Sequence, residues 1–281
     1  MVVDSCNKIA VLSIDVEEWY HLEYFKSLQT NKKLSTLDGL DNFIAILNRN
    51  NIKASFFIVG ELMDKLRNQI KELDNQGHDI GIHSFDHKRP IEQTVSEFSA
   101  DVSKCIDKIS DIISKESFGY RAPCFALDRR RLEVLSRLNL KYDSSKINQK
   151  EHPLYVNLDI SNFTTLIKNG IYEKNKFKVF EVSTIKFLSK QIPISGGGYL
   201  RLIPWPIYFW LLKKYIKQNT FFTFFIHPFE LSETNFALPK KTSLFTRYRY
   251  NRNRKKVAFR IEKVIKLLRD NNFTFKTFSQ I

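Results

Sequence analysis

Two histidines, His83 and His87, stand four residues apart in the stretch DIGIHSFDHKRP. Histidine is a common metal ligand, and this separation places two imidazoles on one side of a helical turn. His83 ends a predicted strand, so one turn would bring His87 back to the same point. Such a pair also arises by chance, and it indicates a metal site only when a carboxylate joins it.

A carboxylate is offered by the stretch SIDVEEW, in which an apolar run ends in acidic residues. Side chains alternate along a strand, so Asp15 and Glu17 project to the same side, with Glu18 a competitor for Glu17. Two carboxylates at one strand end repel each other unless a cation or a shared proton relieves the repulsion. With the two histidines, one such acid completes a three-ligand zinc site or a facial triad for another divalent metal. Solvated acids at a loop are the other interpretation.

Three more polar residues lie at predicted strand ends: Arg121 in GYRAP, Asp143 in YDSS and His227 in FFIHP. The loops after parallel strands converge on one face of an α/β fold, where the reactive groups lie. A structural salt bridge or a hydrogen-bonded core histidine is the alternative explanation for Arg121 and His227.

Strand and helix patterns alternate along most of the chain. Apolar runs such as KIAVLSIDV and TFFTFFI predict buried strands, and helical spacing is found at residues 37–48 and 61–76, the latter stopping at Gly77. This alternation predicts an α/β fold with a central parallel sheet, in the form of a barrel. No repeat or linker divides the sequence, so we expect a single domain over residues 1–281.

The composition excludes extensive disorder, since 43% of the 281 residues are hydrophobic and 24 are Phe. The formal net charge is +15, and much of the excess lies between Arg247 and Arg260. Such a run suits an anionic lipid, an anionic glycan or nucleic acid, or it is a solvated loop. No nucleic-acid-binding motif accompanies it, so nucleic acid is not an expected partner.

The N-terminus lacks a positively charged start followed by a clean apolar run, which predicts a cytoplasmic protein. No window of about 18 uncharged apolar residues predicts a spanning helix. The helical stretch PIYFWLLKKYIKQ, opened by Pro206, has aromatic residues beside lysines. A buried barrel helix is favoured there over a membrane-surface helix, and peripheral membrane association is the further expectation.

Taken in order, SIDVEEW, HSFDH, GYRAP, YDSS and FFIHP resemble the motifs of the polysaccharide deacetylases with the NodB homology domain. The likeness runs from about residue 8 to residue 232 and is closest to the exopolysaccharide-associated branch, with an Asp-x-Glu first motif and a later SGGGYLRLIPW. It implies a distorted (β/α) barrel and metal-dependent hydrolysis of N-acetyl groups on sugars, with zinc as the expected metal.

The resemblance also implies roles for individual residues. Asp15 matches the catalytic base, and Glu17, His83 and His87 match the three metal ligands. The family's usual first motif has two adjacent aspartates, so this sequence departs from it. Glu18 therefore stays open as the third ligand.

The chemistry that these residues permit is hydrolysis of an amide. Asp15 would take a proton from the attacking water, and Arg121 would pair with Asp15 and orient it. His227, at the end of a very apolar strand, is the candidate acid that protonates the leaving amine. A partly buried imidazole needs a partner to stay charged, and Asp143 is the candidate.

The stretch SGGGYLRLIPW contains Gly196 to Gly198, which permit a positive φ or a close backbone approach. No Gly-Lys-Ser/Thr follows, so the segment is not a nucleotide-binding loop. In the similar proteins it lies near the site, so Tyr199 and Arg201 are candidate sugar-binding residues.

The sequence thus predicts a metal-dependent N-deacetylase acting on a glycan or a lipid-linked sugar precursor. One alternative is a hydrolase of the same scaffold that acts on a small cyclic amide or a formamide. The other is a non-catalytic module that binds a glycan or a membrane.

Overall fold

The structure is a computed structural model that describes residues 8–115, 118–149 and 152–281. Predictions that concern the first seven residues therefore lie outside the described residues.

The strands found within these ranges are β1 Lys8–Val16, β2 Ser55–Ile58, β3 Asp79–Ile82, β4 Gly119–Tyr120, β5 Tyr142–Ile147, β6 Thr164–Ile167, β7 Ile171–Lys174, β8 Phe177–Val182, β9 Thr184–Phe187, β10 Lys190–Pro193, β11 Phe221–Ile226 and β12 Phe273–Phe275. The helices are α1 Glu23–Lys26, α2 Asp38–Arg49, α3 Arg67–Asn75, α4 Val95–Ile112, α5 Arg129–Arg137, α6 Gly197–Leu202, α7 Trp205–Gln218, α8 Pro228–Leu231, α9 Leu244–Asn251 and α10 Val257–Arg269.

Strand β1 lies inside the larger sheet. It pairs in parallel with β11 along one edge, and with β12 and then β2 along the other. Strands β3, β4, β5 and β8 continue the sheet in parallel, after which β7 and β6 end it in antiparallel pairing. Strands β9 and β10 form a separate antiparallel pair.

Strands β1 and β11 owe their buried position to their composition. β11 has the sequence FFTFFI and is buried at every position, and β1 is buried from Ala10 to its end. A parallel strand covered on both faces must be apolar on both faces, which these sequences are. Because the strands run in the same direction, the carboxyl ends of β1, β3, β4 and β11 meet at one rim.

The predicted α/β class and mainly parallel sheet are confirmed. Gly77 has φ +82 just after α3, as a left-handed helix terminus requires. The helix expected from residue 61 begins only at Arg67. The amide groups of Gly60 and Glu61 instead donate to the carbonyls of Ser84 and Phe85, so this segment holds the turn that follows β3.

Candidate active site

The end of β1 and the turn after β3 bring together Glu17, His83 and His87, all buried. One ligand-type atom from each lies within 4.8 Å of the others. Glu17 Oε2 is 2.5 Å from His87 Nε2 and 3.8 Å from His83 Nε2. Burial opposes ionisation of Glu17, but the close approach of His87 and the charge of His227 outweigh it and hold the pKa of that carboxyl well below its usual range.

Glu17 is better placed as the third ligand than Glu18. The carboxylate of Glu18 points away from the histidines and accepts hydrogen bonds from Ser35 Oγ at 2.5 Å and from the amide of Thr36 at 2.8 Å. Both residues lie just ahead of α2, whose N-cap is Leu37. Glu18 therefore holds the start of α2.

A backbone carbonyl fixes the orientation of the His83 ring. Its Nδ1 is 2.7 Å from the carbonyl oxygen of Arg121, which directs Nε2 toward Glu17. A second hydrogen bond of this kind fixes the ring of a metal-binding histidine and selects its tautomer. Burial lowers the pKa of His83 to about 4, so the ring is neutral, as a ligand must be.

His87 reaches the site through a loop and not through the helical turn that the spacing suggested. Ser84 and His87 both have positive φ, at 62° and 60°. The carboxylate of Asp101 in α4 accepts the amide of Phe85 at 3.1 and 3.2 Å and so supports the middle of this loop. His87 Nδ1 is buried and has no hydrogen-bond partner among the described residues.

Asp15 and Arg121 form the ion pair that the sequence predicted. Arg121 Nη1 donates to Asp15 Oδ1 at 2.7 Å, and both side chains are almost fully buried. The guanidinium also donates to Ser13 Oγ and to the carbonyl and hydroxyl of Ser144. Its orientation is therefore fixed by groups on two strands, β1 and β5, and it fixes Asp15 in turn.

His227 lies across the rim from these residues, with Nε2 3.9 Å from Asp15 Oδ2 and 3.7 Å from Glu17 Oε1. Its Nδ1 is 3.3 Å from Oε2 of Glu230. Burial alone would lower the pKa of His227, but the hydrogen bond to Glu230 and the nearby carboxylates outweigh it and raise the pKa to about 9.

The expected pairing of His227 with Asp143 is wrong. The carboxylate of Asp143 bonds the hydroxyl and the amide of Ser145, two residues along its own strand. Burial raises the pKa of Asp143 to about 7. Asp143 therefore stabilises the bulge of β5, where the register with β8 shifts, while Glu230 serves His227.

Glu230 was not among the predicted site residues, although a local capping pattern in the sequence points to it. His227 is the residue before α8, and Glu230 is the third residue of that helix. The carboxylate reaches back to the His227 amide at 3.2 Å, as the second half of a capping box does. The motif FFIHPFE thus contains both the histidine and its partner.

Arg201 does not project freely toward a sugar. Its Nε donates to Glu230 Oε1 at 2.7 Å, and its Nη1 donates to the carbonyl of Arg249 at 2.6 Å. Buried in this way, Arg201 holds the pKa of Glu230 below its ordinary value, together with His227 and against the effect of burial. It lines the cavity as a supporting residue, whereas the Tyr199 hydroxyl bonds Gln149 at the cavity wall.

The glycine segment makes a close approach and not a positive φ. A Cβ on Gly197 would lie 2.0 Å from Oε2 of Glu230, whereas one on Gly198 would meet nothing within 4 Å. Gly197 therefore lets the start of α6 pass beside the carboxylate that holds His227.

His21 is buried beside the site. Its Nε2 is 2.7 Å from Glu61 Oε1, and its ring stacks on His87 with centroids 5.9 Å apart. Burial is the main reason why the pKa of His21 is lowered. The side chain packs behind the metal-ligand candidates, a position that no local pattern indicates.

One cavity is lined by most of the side chains at this rim. Asp15, Glu17, His83, His87 and His227 line its floor. Its walls are largely apolar and aromatic, and they include Leu22, Tyr24, Phe125, Tyr155 and Phe229. The arrangement combines a candidate cation site, an oriented carboxylate and a protonated imidazole within one concave surface, as hydrolysis of an amide requires.

Two family models match the chain. Residues 36–142 match a family described as polysaccharide deacetylase, and residues 144–281 match a domain of unknown function, DUF3473. The first match contains His83, His87 and Arg121, and the second contains His227 and Glu230. Asp15 and Glu17 lie ahead of both.

Curated relatives match over limited stretches. A peptidoglycan deacetylase of Helicobacter pylori is 26% identical over 118 residues, which is 42% of this chain and 40% of that protein. A peptidoglycan-N-acetylglucosamine deacetylase of Bacillus cereus is 34% identical over 58 residues, 21% of each protein. The chain thus matches less than half the length of these relatives.

Solved structures share the fold along almost the whole chain. A Mycobacterium smegmatis protein described as a polysaccharide deacetylase is 12% identical, with a TM-score of 0.63 over 98% of this chain and 89% of that one. A CE4 family pseudoenzyme from Bacillus anthracis is 10% identical, with a TM-score of 0.56 over 98% of this chain and 65% of that one. The predicted distorted barrel is confirmed.

Proposed function

Because the chain belongs to the polysaccharide deacetylase family, we propose that it hydrolyses N-acetyl groups on a glycan with the help of a divalent metal. The observation that carries the proposal is the cluster of Glu17, His83 and His87 beside Asp15 and His227 in one cavity. The two relatives described above are named as deacetylases of peptidoglycan and of its N-acetylglucosamine. We propose the same class of substrate, an N-acetylated glycan, for this chain.

The three clustered residues suit a metal ion. Glu17 Oε2 is buried and accepts no hydrogen bond from the described residues, although two imidazole nitrogens face it. An anionic oxygen and two neutral imidazoles are the donor set of catalytic zinc sites with three protein ligands. Zinc is therefore the metal that we propose, and when bound it would supply a Lewis acid that polarises the amide carbonyl and acidifies water.

The chain's own residues divide the proton transfers. Asp15, oriented by Arg121, takes the proton of the attacking water, and His227, protonated with the help of Glu230, gives a proton to the leaving amine. His227 Nε2 and Asp15 Oδ2 are 3.9 Å apart, so the acid and the base lie next to each other in the same cavity. The aromatic walls of the cavity suit the apolar face of a sugar ring.

An acetate-release assay with the zinc-supplemented protein tests the function. We expect acetate from N-acetylated glycan oligosaccharides, and a rate at least about 100-fold lower for Asp15→Asn, since general base catalysis contributes that much. The exposed Asp107 in α4 supplies the matched control, Asp107→Asn, which should behave like the parent protein. A lack of acetate release from every glycan would favour a non-catalytic module, whereas hydrolysis of a cyclic amide or a formamide alone would favour the rival enzyme.

Metal analysis tests the ligand assignment independently. We expect Glu17→Gln to lose stoichiometric zinc and Glu18→Gln to retain it, because only Glu17 faces the two histidines. The reverse result would show that Glu18 is the ligand.

We propose either a free glycan or a lipid-linked sugar precursor as the substrate. We also propose that the protein is cytoplasmic and associates with the membrane. Parallel assays on a soluble oligosaccharide and on its lipid-linked form compare the substrates. Cell fractionation tests the location, and a periplasmic protein would rule out action before export.

A further inference from the structure

A strongly basic segment follows α8. Between Glu233 and Glu262 the sequence has nine Lys or Arg residues and no Asp or Glu. Some of this charge has a structural use, since Arg247 donates to backbone carbonyls and Arg260 is buried against the carbonyl of Leu200. Five basic residues of the segment remain exposed, namely Lys240, Lys241, Arg252, Lys255 and Lys256.

Three large apolar side chains are exposed within this basic segment. Leu244 and Phe245, at the start of α9, are 85% and 69% exposed, and Tyr248 is 50% exposed. Residues three and four positions apart share one face of a helix, so the three side chains form one outward face. On the other side of α9, Tyr250 is buried and stacks on Phe229.

Helix α9 is tied to the wall of the catalytic cavity. Arg249 lines the cavity, and its guanidinium lies 5.6 Å from the ring centroid of Tyr24. Arg201 donates to the carbonyls of Arg249 and Arg252, so α9 is held by the same side chain that holds Glu230. A partner seated on the outward face would lie beside the cavity.

We propose that this surface, formed by Leu244, Phe245, Tyr248 and the five exposed basic residues, docks on an anionic lipid bilayer. Apolar side chains flanked by Lys and Arg are typical of helices that lie in a membrane interface, where the basic groups meet anionic headgroups. An anionic glycan would meet the charge but would leave Leu244, the most exposed of the three, without a use. Among the described residues, no helix has both the length and the hydrophobicity of a membrane span.

The docking itself does not depend on catalysis, but its benefit rests on the proposed function. A protein docked at α9 would present its cavity near the bilayer surface, where a lipid-linked sugar has its N-acetyl groups. The surface therefore favours the lipid-linked substrate over a free glycan.

Vesicle sedimentation without substrate tests the docking separately from the activity. We expect binding to vesicles of phosphatidylcholine with phosphatidylglycerol, little binding to phosphatidylcholine alone, and release at high salt. The double change Leu244→Ser with Phe245→Ser should weaken binding at least tenfold, and Lys255→Gln with Lys256→Gln should weaken it further. The matched control is Leu188→Ser, because Leu188 is 80% exposed but follows β9 and is not part of the basic segment.

Circular dichroism and acetate release from a soluble glycan should be unchanged in the surface variants, which establishes that they fold. Failure of the parent protein to bind the anionic vesicles would overturn the proposal. So would equal binding by the Leu244→Ser, Phe245→Ser variant. Binding to heparin without binding to vesicles would assign the surface to an anionic glycan instead.

Discussion

The protonation of His227 depends on one neighbour more than on any other residue. Glu230 both accepts from His227 Nδ1 and adds a negative charge beside it, and these effects overcome a burial that would otherwise favour the neutral ring. An acid that must donate to the leaving amine is active only below its pKa. Activity should therefore persist up to about pH 9, the pKa of His227, and fall above it.

Replacement of Glu230 by Gln should move this alkaline limb to lower pH. Glutamine keeps the shape and an acceptor oxygen but removes the charge, so the pKa of His227 falls by at least about one unit. The measurement is the pH profile of kcat for acetate release. Asp143→Asn is the control, since Asp143 bonds Ser145 and should leave the limb in place. A limb that moved with Asp143→Asn and not with Glu230→Gln would restore the partner first predicted.

The sequence predicts those site residues whose position follows from the end of a strand. Asp15, His83 and His227 are of this kind and line one cavity, and Arg121 is of this kind and pairs with Asp15. It missed Glu230, because a helix of four residues leaves no periodic pattern to detect. It did not predict the ion pair of Arg201 with Glu230, because nothing in the sequence tells that a residue 29 positions away neutralises this charge.

Helix α6 illustrates how an element serves the site without touching the substrate. Its first residue, Gly197, passes so close to Glu230 that any Cβ would overlap the carboxylate. Gly197→Ala should therefore displace Glu230 and the His227 ring, and a displacement of about 1 Å costs about 100-fold in rate. Gly198→Ala should cost little, because that position faces open space.

Acetate-release kinetics and zinc content together test this comparison. Gly197→Ala should lower kcat while zinc stays bound, because the ligands lie on other elements. Equal rates for the two alanine variants would mean that α6 has no part in holding Glu230.

The loop between β3 and α4 depends on a second element in the same way. Asp101 in α4 accepts the amide of Phe85, and burial raises the pKa of that carboxyl to about 6. Asp101→Ala should leave the Phe85 amide without its acceptor and loosen the loop that ends at His87. We expect a zinc affinity about 10- to 100-fold lower, the usual effect of losing an outer-shell group, measured by competition with a chelator. Unchanged affinity would show that the loop is held by the β2 end alone.

Elements with strong periodicity were predictable and irregular ones were not. The buried parallel strands and the long helix α4, with its Thr94 cap, follow from local patterns. Strands β6, β7, β9 and β10 are short and partly exposed, so neither an apolar run nor strict alternation marks them. The loop that carries His87 was expected as a helical turn, because spacing alone does not reveal the positive φ values within it.

Strands from the N-terminal and C-terminal parts of the chain pair with each other in the sheet. The two family matches meet at residue 143, inside β5, so their border is not a gap between folded units. Strand β1 pairs with β11 from Ile9 to Ile14, and β12 covers the start of its other edge. The metal-ligand candidates therefore lie on one part of the sequence, while the acid His227 and its partner Glu230 come from the other.

This arrangement predicts that the chain unfolds as one unit. A fragment of residues 1–142 would expose the whole β11 edge of β1, a buried apolar strand, and such an edge pairs with other chains. We expect the full chain to show a single thermal transition by circular dichroism, and the fragment to aggregate or to lack a cooperative transition. A monomeric fragment that unfolded cooperatively, or two separate transitions in the full chain, would contradict the single-domain prediction. Either result would mean that the site is assembled between two independently stable parts, with His227 delivered to the metal-ligand candidates by their association.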